Sequence, residues 1–159
     1  MDKTISPSHV SGEVRPPCSK SYAQRALAAA LLSEGETTLS NIELCDDTRY
    51  AMDVITHLGA ELRQTGPTEY VIRGGLAPRT DRINTGESGL ATRLFTPVAA
   101  LCDREITITG SGTMLRRPIG MMIEPLRNLG VEVVSNGFLP IAVHGPLRGG
   151  ETDVDAQVS

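Results

Sequence analysis

The sequence repeats itself, and the repeat limits the fold more than any other feature. At an offset of 71 residues, Met52, Ile55, Leu58 and Gly59 fall on Ile123, Leu126, Leu129 and Gly130. Glu61 falls on Glu132, Ile72 on Val143 and Gly74 on Gly145. At an offset of 68, Ser21 falls on Gly89, Arg25 on Arg93 and Ala26 on Leu94. Two or three apolar matches arise by chance; shared strand order, helix stops and an arginine at the same helical position do not. The period is longer than that of the common solenoid repeats. Each unit holds two helices and several strands, which favours quasi-symmetric packing around shared helices over a linear stack.

The elements follow from local pattern. Residues 4–14, broken by Pro7 and Gly12, read as a short strand or an arm, and Arg15-Pro16-Pro17-Cys18 is extended because each proline restricts its predecessor. Ser19–Leu32 reads as a helix capped by Ser19 or Ser21, with Ala23, Ala26, Leu27, Ala30 and Leu31 as its apolar stripe and Gly35 as its stop. Residues 37–39 form a strand. Asp46 or Asp47 caps a second helix to His57, burying Ala51, Met52, Ile55 and Leu58 and ending at Gly59. Residues 60–63 and 70–73 are strands around Gly66-Pro67.

The pattern then restarts. Residues 83–85 are a strand, and 88–101 a helix with Leu90, Ala91, Leu94, Val98 and Leu101 inward. Residues 105–109 are a strand, and 116–129 a helix opened by Pro118. Residues 131–134 and 139–143 are strands around Asn136-Gly137, a strong hairpin signal. The expected fold is α+β: repeated β-α-β-α-β-β units with the Ala-rich helices inside and the more alternating strands outside. The expected organisation is an arm over 1–14, one unit over 15–80, a second over 81–150 and the start of another at 151–159.

Composition narrows the function classes. Hydrophobic residues make up 40% and aromatics 3%, with no Trp, so the core is aliphatic. The balance of 15 basic to 19 acidic residues, net -4, argues against a nucleic-acid partner, which selects a clustered positive patch. It leaves room for small anions, which need only local charge. Cys18, Cys45 and Cys102 are odd in number and widely spaced, so neither a disulfide scaffold nor structural zinc is expected, and a reducing compartment fits. With no basic-then-apolar start and no window of ~20 apolar residues, the chain reads as soluble and cytoplasmic, with no metal, cofactor or membrane partner.

Three stretches look suited to an anion. Ser19-Lys20-Ser21 begins a helix, with Arg25 one turn on from Ser21, so unpaired amides, hydroxyls and two full charges share one face. The plain alternative is a capping serine with two solvated cations. Gly86-Glu87-Ser88-Gly89 with Arg93 repeats the arrangement, and its glycines let a ligand approach the backbone closely. Arg116-Arg117-Pro118 sets two cations at a helix start, where they oppose the dipole. Either an anionic ligand or a carboxylate such as Asp46 or Asp47 would explain them. Asp46 and Asp47 themselves read as helix caps.

The run Pro16-Pro17-Cys18-Ser19-Lys20-Ser21, then Gln24-Arg25-Ala26-Leu27, resembles the N-terminal signature of the 5-enolpyruvylshikimate-3-phosphate synthase family. So do Gly86-Glu87-Ser88-Gly89 with Arg93, and Leu115-Arg116-Arg117-Pro118-Ile119. The resemblance implies an enzyme that moves the carboxyvinyl group of phosphoenolpyruvate to the 5-hydroxyl of shikimate 3-phosphate, in aromatic amino-acid biosynthesis. It implies two domains of three β-α-β-α-β-β units, with the substrates between them. By match to its motifs, Lys20 contacts phosphoenolpyruvate beside both substrates, Ser21 and Arg25 hold shikimate 3-phosphate, and Gly89 and Arg117 face phosphoenolpyruvate. Arg93 lies on the same wall, and Ser159 matches the first serine of a Ser-Ser-Gln motif that grips the shikimate phosphate.

Two departures are visible. Glu87 stands where the family commonly has Asn, and Leu90 where it has Thr. A carboxylate beside a phosphoenolpyruvate site is electrostatically awkward, so Glu87 is expected to turn away or to pair with Arg93 or Arg117. The chain is also too short for two such domains. It reads as a fragment with two of the units, lacking the proton-transfer carboxylates and therefore without catalytic residues of its own. A full-length enzyme is expected to be monomeric, and the fragment to self-associate. The rival readings are a UDP-N-acetylglucosamine enolpyruvyl transferase and a non-catalytic anion-binding module. The former is disfavoured by Lys20-Ser21 in place of Lys-Asn and by the lack of Cys in 110–115.

Overall fold

A computed structural model describes residues 3–155 and 157. Residues 3–18 form neither helix nor strand and are largely exposed, so the segment 4–14 is an arm. Helix α1 spans Lys20–Leu32, and Ser19 caps it by accepting from the Tyr22 amide at 3.3 Å. It buries Ala23, Gln24, Leu27, Ala28, Ala30 and Leu31. Its end is set by extended backbone at Ser33 rather than by Gly35. Strand β1 (Glu36–Leu39) leads to α2 (Asp46–His57), and β2 (Glu61–Gly66) and β3 (Glu69–Arg73) close a three-stranded sheet in the order β1-β3-β2.

The second half runs β4 (Arg82–Asn84), α3 (Gly89–Ala99), β5 (Glu105–Thr109), α4 (Ile123–Asn128), β6 (Glu132–Val134) and β7 (Ile141–His144). Its sheet has the order β4-β5-β7-β6, with β4 parallel to β5 and the rest antiparallel. The two sheets share order and register. Glu61 pairs with Arg73 and Leu62 with Ile72, while 71 residues on Glu132 pairs with His144 and Val133 with Val143. One difference stands out: β5 carries β4 on its outer edge, whereas no described strand covers the same edge of β1.

Each sheet buries one face, as expected where an antiparallel sheet covers a core on one side only. Tyr70, Ile72, Ile83, Ile106, Ile108, Val133, Ile141 and Val143 point inward, and Glu36, Glu61, Glu105 and Glu132 point to solvent. Helices α1, α2 and α3 pack against one another. Gly74 and Gly145 show why the offset of 71 preserves glycine. A Cβ on Gly74 would collide with the carbonyls of Ala30 and Ser33 at the end of α1, and one on Gly145 with those of Ala100 and Cys102 beyond α3.

Three expectations are corrected. The helix at 116–129 is much shorter. Gly112–Arg116 and Gly120–Met122 are 3-10 turns, α4 begins at Ile123, and Pro118 lies between the turns instead of opening a helix. Helix α2 is capped at Cys45, whose amide donates to Thr48 Oγ1 at 2.9 Å, so Asp46 and Asp47 occupy the first turn. In α3 the buried face is Ala91, Thr92, Phe95, Thr96, Val98 and Ala99, and Leu101 is exposed. That face turns inward because Thr92 and Thr96 satisfy their hydroxyls on the carbonyls of Ser88 and Thr92, which removes the cost of burying them.

Candidate functional site

The starts of α1, α2 and α3 are tied together at one end of the fold. Lys20, the first residue of α1, places Nζ 2.8 Å from Asp47 Oδ2 in the first turn of α2. Gln24, buried in α1, meets Ser88, the N-cap of α3: Nε2 donates to Oγ at 3.2 Å, and Oε1 accepts from it at 3.3 Å. Gly86 stands where a Cβ would collide with the ring of Tyr50 on α2. Three helix N-termini therefore converge, each with its unpaired amides and the positive end of its dipole.

The cations are arranged around that corner. Asp47 hydrogen-bonds Lys20 and attracts its charge, raising the Lys20 pKa above its ordinary value. The Lys20 side chain is still 63% exposed. On the next turn Arg25 is exposed and donates to the Ser21 carbonyl at 3.0 Å. Ser21 itself is half-buried.

The second cluster centres on Gly89. A Cβ there would lie 2.7 Å from Arg117 Nη1 and 2.9 Å from Arg93 Nη1. The bare glycine is what allows both guanidinium groups to sit against the start of α3. Arg93 donates to the carbonyls of Gly89 at 3.2 Å and Pro118 at 3.5 Å. Its Nε is buried with no partner among the described residues. Burial first, and then the nearby Arg117 charge, push the Arg93 pKa down, since both disfavour the charged form.

Lys20, Ser21 and Arg25 thus share the α1 start, Gly89, Arg93 and Arg117 share the α3 start, and Gln24–Ser88 joins the two groups. Ser159 lies outside the described residues. Arg116 and Arg117 are not at a helix start: they close a 3-10 turn and are exposed. Asp47 pairs with Lys20 and not with either of them. Glu87 pairs with neither arginine among the described residues and accepts from the amide and hydroxyl of Thr113, both at 2.8 Å. These bonds, the backbone one first, hold its carboxyl below the usual range. Among the described residues no three His, Cys, Asp or Glu side chains gather as a metal site.

Sequence reasoning gave no role to Gln24, Asp47 as the partner of Lys20, Tyr50 or Thr113. Only Gln24 carried a local signal, as a polar residue between Ala23 and Leu27 on the buried face of a helix.

The fold is enolpyruvyl transferase-like. The chain superposes on the EPSP synthase of Acinetobacter baumannii with a TM-score of 0.78 at 24% identity, covering 92% of this chain and 36% of that one. It also superposes on the enolpyruvyl transferase NikO of Streptomyces tendae with a TM-score of 0.53 at 15% identity, covering 80% and 30%. Within that class the chain belongs to the EPSP synthase (3-phosphoshikimate 1-carboxyvinyltransferase) family, whose sequence model matches residues 5–159. Its relatives include the 3-phosphoshikimate 1-carboxyvinyltransferases of Rhizobium leguminosarum, 37% identical over 87% of this chain and 34% of that protein, and of Acetivibrio thermocellus, 38% identical over 96% and 37%. The chain spans about a third of the length of the curated relatives it matches.

Proposed function

We propose that this chain supplies one wall of the site of a 3-phosphoshikimate 1-carboxyvinyltransferase. In that reaction the 5-hydroxyl of shikimate 3-phosphate gives its proton to a base and its oxygen bonds to C2 of phosphoenolpyruvate while an acid adds a proton to the methylene carbon. A methyl proton is then lost as the C2–phosphate bond breaks. The observation that carries the reading is the joining of the α1, α2 and α3 N-termini by Lys20–Asp47 and Gln24–Ser88, with Lys20 at one start and Arg93 and Arg117 packed against Gly89 at another. Lys20 would sit between the two substrates, Ser21 and Arg25 on shikimate 3-phosphate, and Gly89, Arg93 and Arg117 on phosphoenolpyruvate.

The division into units at 15–80 and 81–150, as part of a three-unit domain, belongs to this proposal, as do a cytoplasmic location and a monomeric full-length enzyme. The acid and base that move protons at the methylene carbon must reach the reacting atoms, and in this reading they come from outside the chain. The chain alone then binds anions weakly and turns nothing over. Each charge-assisted hydrogen bond is worth roughly 1.5–3 kcal/mol when well formed, but on an open wall water competes. The expected affinity is millimolar, on the order of -4 kcal/mol.

Titrating the chain with shikimate 3-phosphate and following amide shifts tests this. Lys20, Ser21 and Arg25 should move first, and Arg25→Ala should lose the response. Phosphate release above background from the chain with both substrates present would overturn the claim that the proton-transfer groups lie elsewhere. Equal responses to any small anion would favour a non-catalytic anion-binding module.

A further inference from the structure

Arg93 and Arg117 are held very differently. Arg93 projects from α3 and is anchored on two carbonyls. Arg117 is exposed, follows a 3-10 turn, and its side chain makes no hydrogen bond among the described residues. Its closeness to Gly89 must therefore come from the placement of its backbone. That segment is fastened where it begins. The Ser111 amide donates to the Gly86 carbonyl at 2.9 Å, and both donors of Thr113 close on a single oxygen, Glu87 Oε2. Between them Gly112 adopts φ +51, and a Cβ there would collide with the Glu87 carboxylate. The carboxylate thus lies flat on bare backbone, one residue beyond Gly86 and two before Gly89.

We infer that Glu87 is a positioning residue of the anion site: it staples the Ser111–Arg117 segment to the start of α3 and so holds the Arg117 guanidinium beside Arg93 over Gly89. The inference deepens the anion-site reading above and rests on it for its functional half. It gives the carboxylate a purpose despite its sign. A negative charge this near an anion site opposes ligand, so a residue kept only by chance there would improve binding when neutralised. A staple behaves differently, because what matters is its two acceptor bonds rather than its charge.

Glu87→Gln and Glu87→Ala separate these possibilities. Both remove the charge, and only Gln keeps an acceptor at the right reach. In the isotopically labelled chain without ligand, Thr113 amide exchange should be slow in wild type and Glu87→Gln. The Gly89–Arg117 nuclear Overhauser contact should be present in both. In Glu87→Ala, exchange should quicken at least tenfold and the contact should vanish. Thr113→Val, which leaves the backbone donor, should fall between, and it keeps the test open if Glu87→Ala does not fold. Inorganic phosphate should then bind Glu87→Gln at least as tightly as wild type and Glu87→Ala roughly tenfold more weakly than Glu87→Gln, the order of one charged hydrogen bond.

Unchanged exchange and contact in Glu87→Ala would overturn the staple. So would equal phosphate affinity in the two variants. Phosphate that moves neither arginine in wild type would overturn the anion-site reading on its own, while the ligand-free arm still decides whether Glu87 holds the segment.

Discussion

The side-chain amide of Gln24 brackets the hydroxyl of Ser88, with Nε2 donating at 3.2 Å and Oε1 accepting at 3.3 Å, although the two residues are 64 positions apart. Ser88 Oγ also accepts from the Ala91 amide at 3.1 Å as the cap of α3. One hydroxyl therefore serves a helix start and the contact that sets α1 against α3.

Gln24 is 1% exposed, so Gln24→Leu leaves the Ser88 hydroxyl proton without its acceptor in the core, while the oxygen keeps the Ala91 amide. A loss of about 1–3 kcal/mol is expected for a buried group deprived of its partner. Ser88→Ala removes cap and partner and should cost about 0.5–2 kcal/mol for the cap alone. Because the residues share one network, the double variant should cost less than the sum. Urea denaturation of the four proteins measures this, and strict additivity would show that the pair is not coupled.

Lys20 and Asp47 give a prediction in pH. The folded-state pKa of Lys20 is raised above 10.5 by its partner. Its contribution is fully present below the unfolded value and is lost as pH rises through the folded value. The window is alkaline, beginning above 10.5. The Lys20 Cε shift followed against pH should titrate above 10.5, and Asp47→Asn should return it toward the ordinary value. Unchanged titration in that variant would remove Asp47 as the cause.

Gly89→Ala should separate binding from stability. The new methyl meets the guanidinium ends of Arg117 and Arg93, at 2.7 and 2.9 Å. Arg117 can give way, Arg93 must loosen its carbonyl bonds, and Ala is the better helix former, so stability should change by no more than roughly 1–2 kcal/mol. The guanidinium groups must move apart, and phosphoenolpyruvate binding should weaken severalfold. Calorimetric titration alongside thermal denaturation checks both halves. Undiminished binding would show that the two groups do not act together.

The outer edge of β1 and the apolar groove lined by Pro97, Met121, Met122, Leu126 and Leu129 predict self-association of the chain at high concentration. An uncovered strand edge offers unpaired amides and carbonyls to a second chain, and an apolar groove adds area. Sedimentation velocity across a hundredfold concentration range should show mass rising with concentration. A single monomeric species throughout would count against it.

The sequence by itself determined the order helix, strand, helix, strand, strand that the two halves share, though among the described residues the strand expected before each first helix is present only in the second half. Helix stripes and turn residues are local; the stops at Gly59 and Gly130 recur because both adopt a positive φ, and Gly74 and Gly145 recur because each lets carbonyls at the end of a helix approach the backbone closely. It also determined which residues are cationic and which begin α1 and α3. It misplaced the helix at 116–129, since Pro118 fits a helix start as readily as the 3-10 turns that form, and only packing chooses between them. The partners were decided by tertiary structure alone. Lys20 reaches Asp47, Gln24 reaches Ser88 and Glu87 reaches Thr113 across 27, 64 and 26 positions. No periodicity within one segment encodes such a contact. It exists because α1, α2 and α3 bury their apolar faces against each other, and that packing brings their polar starts to one end of the core.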